Sequence, residues 1–200
     1  MKNSLVYIVM LSAGILLHSC SPRNISTKYY DQNKEVLDKI EETYSVLYKQ
    51  KPFTVAFSDK YFQVITLEII TDSITYIYSF GLHEKRIKDS LLKYGLKVPE
   101  TLELIRKMRS IRCTWVNNFD HYVDGVKKSL IFISVKPTAL NTIFSNKKYY
   151  ILTYFSQPQY YDKEGRLLDN RKQLELQKLN GEVFKRINDK VCYTISSNYR

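Results

Sequence analysis

Phe53-Thr54-Val55-Ala56-Phe57, the run Tyr61 to Ile70, Thr71-Asp72-Ser73 and the return Ile74 to Phe80 decide the fold class of this chain. Phe53, Val55 and Phe57 alternate with Thr54, Ala56 and Ser58, the period of two that belongs to a strand. Tyr61–Ile70 is apolar at both parities, and Thr71-Asp72-Ser73 supplies the polar residues of a turn before Ile74–Phe80 returns. Three consecutive antiparallel strands follow from this pattern. Their apolar residues at both parities predict central strands, covered on both sides or by a partner.

Helices flank the meander. Upstream, Val36, Leu37, Ile40, Tyr44, Leu47 and Tyr48 lie on one face of a helix expected over Asp31–Gln50. Asp31 is placed to cap it and Pro52 to stop it. Downstream, Ile87, Leu91 and Leu92 form the inward face of a helix over His83–Tyr94, closed by Gly95. Pro99 opens a second helix through Ile111, with Leu104, Ile105, Met108 and Ile111 inward. A second strand block starts at Cys113-Thr114-Trp115-Val116. It continues through Leu130–Val135 and Tyr149–Phe155, with a turn at Asp124-Gly125, a loop over Pro137–Lys147 and a hairpin turn at Asp162-Lys163-Glu164-Gly165. Val183, Ile187, Val191 and Ile195 recur every four residues, so a last helix is expected over Glu182–Ile195. Strands and helices grouped in runs give an α+β fold, a mostly antiparallel sheet of about six or seven strands with packed helices.

The first residues carry the compartment. Lys2 precedes an apolar run from Leu5 to Leu17, which has the length of a signal-peptide core and is too short to span a bilayer. Leu17-His18-Ser19-Cys20 follows. This segment resembles the leader and lipobox of bacterial lipoproteins processed by signal peptidase II, with His18 a mild departure two places before the cysteine. The resemblance covers only the leader. It implies cleavage before Cys20, acylation of the Cys20 thiol and several acyl chains, which anchor firmly where one chain holds weakly. Ser21 stands where enteric lipoproteins retained at the inner membrane carry aspartate, so the resemblance implies an outer-membrane lipoprotein facing the periplasm. The expected organisation is a signal peptide at 1–19, the lipidated cysteine and a polar tether at 20–30, and one α+β domain at 31–200.

Composition narrows the partners. A hydrophobic content of 44% supports a real core rather than wholesale disorder. Tyrosine, at 17 residues against a single tryptophan, serves either as a strand former or as a half-buried partner surface. The formal charge of +11 would suggest nucleic acid in a cytosolic protein, but the leader removes the chain from that pool. An acidic protein, an acidic glycan or a phosphate-bearing surface remains as partner, beside plain solvation of a basic surface. Between Glu84 and Arg112 nine bases stand against four acids. Arg106, Lys107 and Arg109, with Lys85 and Lys88, form the candidate partner-binding ridge.

Candidate chemistry is sparse. Asp120-His121 with Asp124 is the nearest approach to an acid–base cluster. The chain has no Gly-x-Ser-x-Gly elbow, phosphate loop or dinucleotide fingerprint. His83 and His121 alone are weak metal ligands, so no metal, cofactor or catalytic residue is assigned. Cys113 and Cys192 are the candidates for a disulfide, which export permits and their Cα separation decides. The expected function is a non-enzymatic, lipid-anchored binding or assembly protein of the envelope, without nucleic acid. The alternatives are an immunity or inhibitor lipoprotein against an acidic toxin, and an envelope hydrolase using the region around His121.

Overall fold

The computed structural model describes residues 22–123, 126–135, 149–167 and 184–196. The elements run α1 (Pro22–Gln50), β1 (Phe53–Phe57), β2 (Val64–Ile70), β3 (Thr75–Gly81), α2 (Arg86–Lys93) and α3 (Val98–Ser110). β4 (Cys113–Val123), β5 (Val126–Val135), β6 (Tyr149–Phe155), β7 (Lys185–Arg186) and β8 (Val191–Ser196) complete them. Among the described residues eight strands form one antiparallel sheet in the order β3-β2-β1-β4-β5-β6-β8-β7. The fold is α+β, with slightly more strands than the sequence pattern indicated.

The chain divides into two units, Met1–Asn33 and Lys34–Arg200. In the first, the described residues 22–33 are helical, and Asn33 Nδ2 donates to the Tyr29 carbonyl at 2.9 Å. The helix expected to begin at Asp31 therefore begins at Pro22 and takes in residues 22–30 of the polar tether segment. Pro22 suits the start of a helix because its missing N–H is not needed there. The expected turn at Asp124-Gly125 and loop at Pro137–Lys147 lie outside the described residues, as do the leader and Cys20.

The second unit holds the sheet. β1 is buried along its whole length, which requires cover on both faces. On one face Leu37, Ile40, Tyr44 and Leu47 of α1 are buried, and the Tyr44 ring meets Phe53 at 5.2 Å. The Tyr44 hydroxyl donates to the Phe53 carbonyl at 2.6 Å, so the one polar atom of a fully buried ring is satisfied. The opposite face packs Ala56, Trp115, Phe132, Ile151, Phe155 and Cys192 beneath Leu167 and Phe184. The hairpin carrying Leu167 turns where expected. Gly165 has φ +74°, and Asp162 Oδ1 accepts from the Arg166 N–H at 2.6 Å.

Three further expectations are corrected. The helix over Glu182–Ile195 is instead β7 and β8. Val191-Cys192-Tyr193-Thr194-Ile195 is β-branched and aromatic, and Asn188 Oδ1 folds the turn before it by accepting from Lys190 and Val191, each at 2.9 Å. The four-residue spacing was compatible with either period. Leu92, expected inward, is 67% exposed, while Ile87 and Leu91 fill the helix contact. Finally, β3 is not central. Among the described residues it is an edge strand, and most of it is exposed.

Candidate functional site

The β2–β3 turn sets the geometry of that edge. Thr71 Oγ1 donates to the Ile74 carbonyl at 2.6 Å and accepts from the Ile74 N–H at 3.1 Å. β3 then pairs with β2 without a bulge from Thr75↔Ile70 to Gly81↔Val64. The paired backbone groups just beyond both ends belong to even residues of this strand, Ile74 with Thr71 and Leu82 with Gln63. In an antiparallel ladder residues alternate between bonding inward and facing away. Tyr76, Tyr78 and Phe80 therefore bond to β2, whereas Thr75, Ile77, Ser79 and Gly81 direct their N–H and C=O groups to the open side.

Gly81 is capped. Its N–H donates to Glu84 Oε1 at 2.6 Å, and its carbonyl accepts from the Glu84 N–H at 2.9 Å. That contact with Gly81, followed by the Arg86 guanidinium 2.5 Å away, holds the Glu84 carboxyl below its ordinary range. For Thr75, Ile77 and Ser79 no such cap exists among the described residues.

The side chains of β3 make two unlike faces. Tyr76, Tyr78 and Phe80 face α2. The Tyr94 ring lies 5.3 Å from Tyr76 and 5.8 Å from Tyr78, and the Tyr78 and Tyr94 hydroxyls are hydrogen-bonded. Tyr94 reaches them because α2 ends in a Schellman motif. Leu96 N–H bonds the Leu91 carbonyl at 2.9 Å, Gly95 N–H bonds the Leu92 carbonyl at 3.0 Å, and Gly95 has φ +72°. Thr75, Ile77 and Ser79 occupy the other face and are exposed, Ile77 to 64%. Of the seven large apolar residues exposed among the described residues, Ile74, Tyr76 and Ile77 belong to β3 and the turn before it, with Ile77 on the face opposite Tyr76, and Leu92 belongs to α2.

Charge surrounds the strand but does not enter it. Thr75–Gly81 contains neither a charged residue nor proline. Lys93 Nζ stands 5.2 Å over the Tyr94 ring, and the Arg86 guanidinium 5.9 Å over Phe80. On the opposite face Glu68 of β2 is in register with Ile77. At the far end of the sheet β7 is only two residues long and basic, and its outer side is bridged by the hairpin at Arg166↔Lys185, with the Arg186 N–H donating to the Gly165 carbonyl at 2.7 Å.

The residues singled out from the sequence are dispersed. Lys85, just before α2, and Lys88, within it, are exposed. Arg106 and Lys107 both pair with Glu103, so the ridge is less positive than its count of bases, and Arg109 is half-buried. Asp120 accepts from Asn118 Nδ2 at 2.7 Å and pairs with Lys127 at 2.8 Å. Burial pushes its carboxyl up, but Lys127 and Asn118 outweigh this and lower it. His121 lies in strand β4, in register with Lys128, and Asp124 is outside the described residues. Among the described residues no group of His, Cys, Asp or Glu is gathered to hold a metal.

Cys113 and Cys192 are both free and buried. They sit on β4 and β8, three strand spacings apart across the sheet, which is ~14 Å. A disulfide needs Cα atoms within about 7 Å, so the pair is not bridged. No family model, curated protein or solved structure matches the chain.

The open edge was not singled out from the sequence. Its signal was present, a strand of seven residues without charge or proline. That signal acquires meaning only once the strand is known to lie at an edge.

Proposed function

We propose that this chain is a lipid-anchored, non-enzymatic binding protein of the bacterial envelope that presents the β3–α2 corner to a protein partner. The single observation behind the binding role is exposed apolar surface along a strand with no pairing on its outer side among the described residues, Ile74 and Tyr76 with Ile77 on the other face. Single exposed apolar residues are ordinary on a surface, whereas exposed apolar side chains along an unpaired strand edge mark a place where another chain can add. The anchor rests on the lipobox-like leader and Cys20, and an outer-membrane position facing the periplasm on Ser21. Among the described residues no helix is long and apolar enough to cross a membrane.

A photo-crosslinker at Leu92 in the anchored protein, in its native host, tests the binding role. The expected product is one adduct whose second component is an envelope protein, absent when the probe is at exposed Glu164. Equal adducts from both positions, or none from Leu92, overturn it. Cys20→Ala tests the anchor. The variant should lose detergent partitioning, and unchanged processing and partitioning reject the anchor.

A further inference from the structure

We propose that β3 accepts an added strand, an extended segment of a partner in which acidic and apolar residues alternate. This rests on the binding role above and specifies its chemistry. Edge strands invite pairing with other chains, and proteins ordinarily blunt them with charge, proline, bulges or brevity. β7 is short and basic, and the Arg166 hairpin covers its outer side. β3 has none of these devices: it is seven residues long, uncharged, free of proline and continuous in register.

The backbone defines the length that can pair. Thr75, Ile77 and Ser79 offer outward N–H and C=O groups, and Glu84 closes the row at Gly81. Thr75 to Ser79 spans ~14 Å of strand, enough for a short segment to exchange main-chain hydrogen bonds.

The two faces define the sequence that fits. Side chains of an added strand alternate between the faces, as they do on β3 itself. One set would lie beside Tyr76 and Tyr78, near Lys93, which has no ion pair among the described residues. Five bases and two acids between His83 and Lys97 favour carboxylates there. The other set would lie beside Ile77, where exposed apolar surface favours an aliphatic side chain. A second copy of this chain is disfavoured as occupant, because edge-to-edge pairing would bring two strongly basic chains and their α2 cations together.

The test uses the full chain and a blocked peptide of alternating glutamate and valine, long enough to span Thr75–Ser79. The readout is hydrogen exchange of individual backbone amides. The peptide should slow exchange at Thr75, Ile77 and Ser79 by ~10-fold or more and change Tyr76 and Tyr78 little, since β2 already protects these. Ile77→Pro removes one outward N–H without touching the β2 ladder, and should abolish the slowing. The same peptide N-methylated along its pairing edge should fail on the unaltered protein, so the test does not depend on that variant folding.

No slowing at saturating peptide, equal slowing by a lysine–valine peptide, or retained slowing by the N-methylated peptide overturns the proposal. So does protection that grows with protein concentration alone, which assigns the edge to a second copy, or protection by phosphatidylglycerol vesicles, which assigns it to lipid. A Leu92 adduct that persists in Ile77→Pro defeats strand addition while leaving the binding role standing. Loss of the adduct in the unaltered protein defeats the binding role whatever the peptide does.

Discussion

Cys113 and Cys192 are thiols held neutral by the core. Burial pushes Cys113 up to about 12, against the weaker pull of its contact with the Trp115 carbonyl at 3.5 Å. Burial raises Cys192 in the same direction. An unfolded thiol ionises near its ordinary value of 9.0, while the folded one keeps its proton. The native state then binds more protons than the unfolded state, so stability falls as pH rises from 9 towards 12 and is unaffected by these groups below that window. Tyr44, raised well above its ordinary value chiefly by burial, adds to the same fall at higher pH. The urea midpoint should therefore decline through this range, and Cys113→Ala should flatten the decline. A variant with the same alkaline slope as the parent rejects the assignment. At neutral pH a thiol-alkylating reagent should leave both residues unmodified until the protein is unfolded. Asp59 acts at the other extreme. Burial raises it, but the backbone N–H groups of Val64, Gln63 and Tyr61 bring it below its ordinary value. Its contribution is present above the ordinary carboxylate range and is lost as pH falls through the lower folded value.

Among the elements, α2 is the one whose ending matters to the candidate site. Eight residues are too few to hold a helix in isolation, so burial of Ile87 and Leu91 and the Schellman closure maintain it. The closure places buried Leu96 against Leu91 and leaves Tyr94 beside Tyr76 and Tyr78. Gly95 occupies the left-handed region, and a Cβ added there would meet nothing within 4 Å. Gly95→Ala should therefore cost only the backbone preference, about 1 kcal/mol, without a steric clash. Thermal unfolding of the variant measures this, and a loss several times larger would mean that Gly95 also serves packing. Arg112 ends α3 with φ +57° and no glycine; its guanidinium lies 5.8 Å over Phe62, itself at φ +58°. A cation over a ring face is attractive, which helps hold the two unusual conformations together.

For the molecule as a whole, charge acts on encounter more than on fold. The formal +11 is unevenly spread, and the segment from Glu84 to Arg112 carries nine bases against four acids. Since Arg106 and Lys107 share Glu103, the ridge contributes through its summed field rather than as a row of separate cations. Such a field speeds association with an acidic partner and is screened over ~8–10 Å near physiological salt. Reversing Arg106, Lys107 and Arg109 together should slow binding of the glutamate–valine peptide severalfold at low salt, with little change in dissociation. Added salt should bring the parent to the variant's rate. Stopped-flow binding measures both rates, and an unchanged association rate in the triple variant removes the ridge from any role in steering.

The sequence by itself determined the strands at Phe53–Phe57, Leu130–Val135 and Tyr149–Phe155, the turn at Thr71–Ser73, the inward faces of α1 and α3, and the stop at Gly95. Each is written in local periodicity or in the dihedral freedom of one residue, and neither needs distant partners to be legible. The segment Val183 to Ile195 was not legible, because apolar spacing of four falls on one face of a helix and also on one face of a strand. Only its pairing with β6 decided between them. The relation of Cys113 to Cys192 and the position of β3 were likewise decided by strand order, which brings together segments remote in sequence. Thr75–Gly81 has the composition of a buried central strand, and the chain offers no local sign that nothing among the described residues pairs beyond it. An edge is a property of the assembled sheet: local sequence specifies how a strand alternates, while tertiary structure specifies which side of it is left open.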